Sequence, residues 1–241
     1  MNEVMFLFST MPTFAILGFG FLLGLKHATE ADHLAAISTI VSERRSLWSS
    51  AFVGGLWGLG HTISLIAAGI FVLLLNFQIS ETTERRLEMG VGIMLTLLGL
   101  NVLRKLAVGG HLHFHTHEHG GLAHAHPHIH EMTDAEHDAS HHGLKFSPRA
   151  LAIGMVHGLA GSAALMLLVI PTIEARAVGL LYVAIFGVGS IGGMMMMSLL
   201  VGLPFHLTAL RFTRLHQILQ TCAGVLSLSL GLWIVYEKGF S

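Results

Sequence analysis

Six apolar stretches, each near the roughly 20 residues that a helix needs to cross a bilayer, dominate this chain. They run over Met11–Val41, Trp48–Leu75, Leu87–Leu103, Arg149–Ile170, Val178–Leu203 and Leu215–Tyr236. Polar residues interrupt the first of them over Lys26–His33. Charged residues make up 11% of the chain and hydrophobic ones 53%, whereas a soluble domain carries about 25% charge. So few charges cannot coat a globule of this size, and lipid must solvate part of it. The expected fold is all-α and integral to the membrane, with six transmembrane helices and a discontinuous first helix. A net charge of −1 offers no basic face for nucleic acid. The single cysteine, Cys222, excludes an internal disulfide, a cysteine-based zinc site and a CxxC redox centre. Phosphate-binding and Ser-His-Asp motifs are absent, so no enzyme is expected. No cleavable signal peptide is expected either, because the N-terminus lacks a basic region and its apolar stretch runs into the polar motif.

The two halves of the chain resemble each other. Gly24-Leu25-Lys26-His27 matches Gly154-Met155-Val156-His157, and Gly58-Leu59-Gly60-His61 matches Gly187-Val188-Gly189-Ser190. The stretch Gly92–Leu100 matches Gly224–Leu232. The matches keep one order and near-equal spacing. Residues 1–106 and 148–241 therefore read as two three-helix repeats joined by residues 107–147. An odd number of spans per copy inverts the second copy, which is a transporter architecture with its site near the midplane. Lys and Arg set orientation. Arg44, Arg45, Arg104, Lys105, Lys145, Arg149, Arg211 and Arg214 lie on one side; Arg85, Arg86, Arg176 and Lys238 lie on the other. The richer side is expected to be cytoplasmic, with both termini outside and the long loop inside the cell.

Ionisable residues at membrane depth are candidates for function. The first motif is His27-Ala28-Thr29-Glu30-Ala31-Asp32-His33. On a regular helix His27 and His33 stand roughly 120° apart, Glu30 falls between them, and Asp32 points away. Either the helix unwinds here, or Asp32 acts from behind an imidazole and orients it. His61 lies near the centre of the second stretch, where Gly58 and Gly60 permit close helix approach. Thr62 and Ser64 beside it are expected to bond backbone. His157 is the repeat partner of His27, but the second copy has lost the acids: Glu30 maps to Ala160 and Asp32 to Ser162. A ligand role and a structural role for His157 both remain open. Met194–Met197 are four consecutive residues pointing four ways, and packing is their expected role.

The loop from His111 to His142 holds twelve of the eighteen histidines, including His111, His113, His115, His117 and His119 in alternation. Glu118, Glu131, Asp134, Glu136 and Asp138 are interspersed. This composition predicts disorder and metal capture. An intramembrane site of nitrogen and oxygen donors disfavours copper(I), magnesium and calcium and leaves nickel(II), cobalt(II) and zinc(II).

His27-x4-Asp32-His33 in an early membrane segment resembles the signature of the nickel/cobalt transporter family. Gly58–Ser64 is similar to that family's second segment, with its Leu-Gly-His core. Val156–Leu165 resembles the corresponding segment of the urease-accessory nickel permease branch, whose members are short six-span proteins. The acidic second-half signature of the longer permeases is absent; His157–Ala164 stands there instead. The resemblance implies nickel or cobalt uptake, less readily zinc, through a site in which His27, Asp32 and His33 are required. Glu30, His61 and His157 complete the candidate set. It implies a multi-pass protein of the cell membrane, with no tightly bound cofactor. The expected partners are the transported ion, the bilayer, and a cytoplasmic metallochaperone or urease maturation proteins. Alternative functions are a nickel/cobalt exporter conferring resistance and a non-transporting metal sensor.

Overall fold

The computed structural model describes residues 12–44, 46–75, 80–108, 113–119, 122–128, 147–160, 176–209 and 212–240. Seven helices lie among them: α1 (Thr13–His27), α2 (Ala31–Val41), α3 (Leu47–Leu75), α4 (Glu81–Ala107), α5 (Pro148–Gly158), α6 (Arg176–Ala209) and α7 (Thr213–Phe240). Four of them, α3, α4, α6 and α7, are each long and apolar enough to cross a membrane. The protein is a helical membrane protein. The predicted first span is two helices: α1 has 15 residues and α2 has 11. At 1.5 Å per residue these are about 22 Å and 16 Å long, and neither crosses a core of about 30 Å alone. Of the predicted fourth span, α5 and the turn at Leu159–Ala160 are described. Residues 161–170 lie outside the described residues, as do residues 1–11 at the N-terminus.

Local chemistry sets several ends. Ser80 caps α4 by accepting the Thr83 N–H at 3.3 Å. Glu81 and Glu84 occupy its first turn and Arg104 and Lys105 its last, each sign complementing the helix dipole. Ser147 caps α5, and Pro148 sits at the first helical position, where its missing N–H leaves nothing unsatisfied.

The helices pack in a definite scheme. The central pair is α3 against α6; α1 lies on α6, and α5 lies on α3. The pair α4 and α7 packs alongside, and α2 touches α4, α6 and α7. Glycines allow the backbones to meet. A Cβ on Gly24 would strike the Phe186 carbonyl, and one on Gly154 the Trp57 carbonyl. Gly189 meets the Phe21 carbonyl as Gly60 meets that of Leu151. Gly99 abuts the Gly224 carbonyl, and Gly231 that of Gly92. Small residues at such crossings are what membrane helices use to gain dispersion contacts, because lipid removes the hydrophobic drive between them. Hydroxyls bridge the same contacts, as expected of them: Thr62 donates to the Gly187 carbonyl at 3.2 Å, and Ser64 to that of Met155 at 2.8 Å.

The buried core gathers Ala28, Ala35, Ala36, Ile37, Trp57, Leu95 and Met194. Phe14, Leu22, Trp48, Leu97, Leu200 and Trp233 face outward, the pattern of a bundle whose solvent is lipid. Met194 is fully buried while Met195 and Met196 are exposed, so the methionine run divides between packing and periphery.

In the histidine-rich stretch, β1 (His113–His119) and β2 (Leu122–His128) pair antiparallel. The register sets His113 opposite His128, His115 opposite His126 and His117 opposite His124. Composition favours disorder in this segment, and within it these two stretches carry strand backbone. Alternation of histidine with other residues has the period of a strand, and that period prevails locally over polarity. His111 and residues 129–146 lie outside the described residues.

Candidate metal centre

Helix α1 stops on a histidine. After His27 the chain turns: the Thr29 N–H donates to the Lys26 carbonyl at 2.9 Å and the Glu30 N–H to that of His27 at 3.0 Å. The Thr29 hydroxyl takes the Lys26 carbonyl as well, at 2.6 Å. Glu30 is extended, with φ −66° and ψ 151°, and α2 begins at Ala31. Cationic or polar residues at the end of α1 and acids at the start of α2 suit the two opposed dipole ends. The break removes the angular separation that a straight helix would impose, and the His27 and His33 ring centroids lie 4.3 Å apart.

Asp32 does what a straight helix would forbid. Its Oδ1 accepts from the His33 backbone N–H at 2.9 Å and lies 3.0 Å from His33 Nδ1. Its Oδ2 lies 2.9 Å from His157 Nε2, 125 residues away in sequence. The two alternatives left open by the sequence therefore coexist: the helix unwinds, and Asp32 orients imidazoles. A carboxylate accepts, so His33 Nδ1 and His157 Nε2 each donate an N–H to it, and the other ring nitrogen keeps its lone pair. Those nitrogens, His33 Nε2 and His157 Nδ1, are buried and meet no hydrogen-bond partner among the described residues. A lone pair in that state is ready for a cation.

His61 comes from the middle of α3. Its carbonyl is where a Cβ on Gly158 would strike, so the glycine lets the end of α5 press against α3. His27 Nε2 and His61 Nε2 are 3.2 Å apart. For metal–nitrogen bonds of about 2.0–2.1 Å, neighbouring ligand atoms stand about 3.3 Å apart in a tetrahedron and about 2.9 Å in an octahedron. The observed spacing falls between the two. The ligand atoms of His27, His33 and His61 lie within 4.8 Å of one another, and those of Asp32, His33 and His157 do likewise. His33 belongs to both groups.

All four histidines are at most 1% exposed. The Asp32 and Glu30 side chains are 21% and 38% exposed. Glu30 Oε2 lies 3.1 Å from His27 Nδ1, a charge contact off the line of the ring N–H rather than a hydrogen bond. When ionised, the two carboxylates sum to −2 and balance one divalent ion, which a low-dielectric site demands. The C-terminal ends of α1 and α5 add partial negative charge.

Sequence reasoning brought forward every residue of this cluster and missed its wall. Trp57 is fully buried, 5.3 Å from the His33 ring and 5.4 Å from that of His157. Phe186 lies 5.6 Å from His27. Trp57 sits one turn before His61, and Phe186 holds the matching place before Ser190, which was the available signal. His113, His115, His117 and His119 belong to β1, apart in sequence and element from this cluster.

No family model matches the chain, and no solved structure matches it. It is 38% identical over 225 residues to the urease accessory protein UreH of Bacillus sp. (strain TB-90), covering 93% of this chain and 92% of that protein. It is 27% identical to the chloroplast protein FOR GROWTH AND FERTILITY 1 of Arabidopsis thaliana over 92% of this chain and 59% of that longer protein. It is 32% identical over 77 residues to the high-affinity nickel transport protein of Cupriavidus necator, or 32% of this chain and 21% of that one. The UreH and nickel transport relatives are named for accessory and transport roles, not for catalysis.

Proposed function

The chain belongs to the family of the urease accessory protein UreH, and from that premise we propose that it is a membrane permease that takes up nickel(II), with cobalt(II) as a second cargo. The observation that carries this reading is the convergence of His27, His33 and His61 in a buried, aromatic-walled cluster, two of their nitrogens at ligand-edge spacing. In this reading the ion binds His27, His33 and His61. Asp32 fixes His33 and links it to His157, and Glu30 supplies the second negative charge.

A divalent ion moving inward at −100 mV gains about 4.6 kcal/mol, so uptake proceeds on voltage alone. Access to the site alternates between two faces. The packing scheme supports an inverted repeat as the device: exchanging the halves turns α1 on α6 into α5 on α3 and leaves α3–α6 and α4–α7 unchanged. The glycine contacts exchange with it, Gly24 on Phe186 for Gly154 on Trp57. The excess of Lys and Arg puts the histidine-rich segment in the cytoplasm. Its strand register sets histidine opposite histidine, the pairing that capture of an arriving ion needs before urease maturation proteins or a metallochaperone take it.

Radiolabelled nickel flux into proteoliposomes tests this, with cobalt and zinc as competitors and voltage and pH gradients set separately. Nickel accumulation driven by an inside-negative voltage, lost in His33→Ala, is the expected result. Flux that runs only outward on a pH gradient would identify an exporter, and absence of flux with retained binding a sensor.

A further inference from the structure

A second feature lies away from the histidines. A cavity of about 240 Å³ opens between the C-terminal end of α2, the last third of α4 and the start of α5. That far exceeds the ~15 Å³ that one water needs. Its polar lining is Thr39, Glu43, Arg44, Asn101, Ser147 and Arg149. Glu43 is engaged: Lys105 Nζ lies 3.1 Å from its Oε2. The Thr39 hydroxyl is turned onto the Ala36 carbonyl at 2.7 Å. The balance is two guanidiniums in the lining against one carboxylate already met by an ammonium. Such a lining repels a divalent cation and attracts an anion, so the cavity is no vestibule for metal. The remaining wall is apolar, with Ile40, Leu98 and Ile153.

We propose that this cavity binds a phosphate-bearing anion, held by Arg44 and Arg149. Paired guanidiniums meet phosphate oxygens in two-pronged hydrogen bonds that ammonium groups do not reproduce. The apolar wall favours a phospholipid head group over free phosphate, because glycerol and the first acyl carbons then cover Ile40, Leu98 and Ile153. The position agrees: the site lies where α2, α4 and α5 end on the Lys/Arg-rich side, and basic pockets between helices on that side suit anionic head groups. Occupancy ties α2 to α5. Those two helices carry Asp32 and His157 at their other ends, so the bound anion steadies the frame across which that contact forms.

The test is native mass spectrometry of the full-length protein purified with mixed phosphatidylglycerol and phosphatidylcholine. The expected result is retained phosphatidylglycerol in the wild type. Each basic group near such a surface contributes roughly a fivefold factor, so R44Q/R149Q should weaken retention about 30-fold. R85Q/R86Q, on the opposite side, should keep it. R44K/R149K preserves charge and folding needs while losing the fork, and should fall between. Displacement of the lipid by millimolar inorganic phosphate, with phosphate itself retained, would assign the site to the free anion. Equal retention in R44Q/R149Q and wild type, or equal loss in R85Q/R86Q, would overturn the proposal. None of these readings depends on nickel transport.

Discussion

Two helix ends carry the candidate centre, and they differ in one respect. Helix α1 stops at His27 and α5 at Gly158, one residue after His157. Each histidine is buried, and each helix is let in by a glycine three residues earlier, Gly24 or Gly154, set against a carbonyl of the other half. After His27 the chain supplies Glu30 and Asp32; after His157 it supplies Ala160 at the place of Glu30. The first end therefore brings charge, and the second brings an imidazole that borrows a carboxylate across the interface. Like frames with unlike chemistry mean that, on the proposed reading, the acids rather than the fold decide which half holds the ion.

Removing the shared elements tests that contrast most severely. His33→Ala strips a member from both ligand groups and should lower nickel uptake by at least about 100-fold; Asp32→Ala should come next, at about 10–100-fold, the worth of an orienting carboxylate. Uptake measured at low external nickel with matched protein levels checks both, and retention in either would disprove the assignment. His157→Ala should be milder, about 10-fold, since it removes the borrower and leaves the lender. If it equals His33→Ala, the second half is a full ligand partner.

Packing supplies the next test. Gly24→Ala and Gly154→Ala place a methyl group against a carbonyl and should each destabilise the protein by about 1–3 kcal/mol. Gly18→Ala meets nothing within 4 Å and should be neutral or stabilising by up to about 1 kcal/mol. Thermal unfolding in detergent distinguishes them. Equal melting temperatures for all three would remove the helix crossings as the reason for these glycines.

The smallest effect is expected outside the membrane. Deleting His111–His142 should leave uptake at saturating nickel unchanged and reduce it a few-fold at limiting nickel. Loss at saturation, in protein that still folds, would make the segment part of the path.

These contrasts show what the sequence could carry. Polar residues inside an apolar stretch disclose a break, because a bilayer tolerates irregular backbone only where protein or water satisfies it. The period of the helix also discloses that Asp32 and the two histidines cannot share one regular face. The partner of Asp32 was out of reach, since no local pattern tells that Oδ2 will meet a nitrogen 125 residues onward. His157 stayed undecided for that reason. Trp57 was passed over because an aromatic residue in an apolar helix looks like any other core residue. The break expected within Lys26–His33 falls at the three-residue turn between His27 and Ala31; hydropathy, which averages over a window, marks the interruption but not the residues at which each helix ends.

The 3.2 Å approach of His27 Nε2 to His61 Nε2 has one more consequence. Two ring nitrogens that close cannot both present lone pairs, so one of them must carry a hydrogen whenever cargo is away. On the proposed reading an arriving ion needs both lone pairs. If His27 is the donor, its hydrogen shifts to Nδ1, where Glu30 Oε2 waits 3.1 Å off. On the proposed reading the cluster exchanges a ring hydrogen for the ion, and the hydrogen stays on the far ring nitrogen, which leaves both carboxylates charged to balance the cargo.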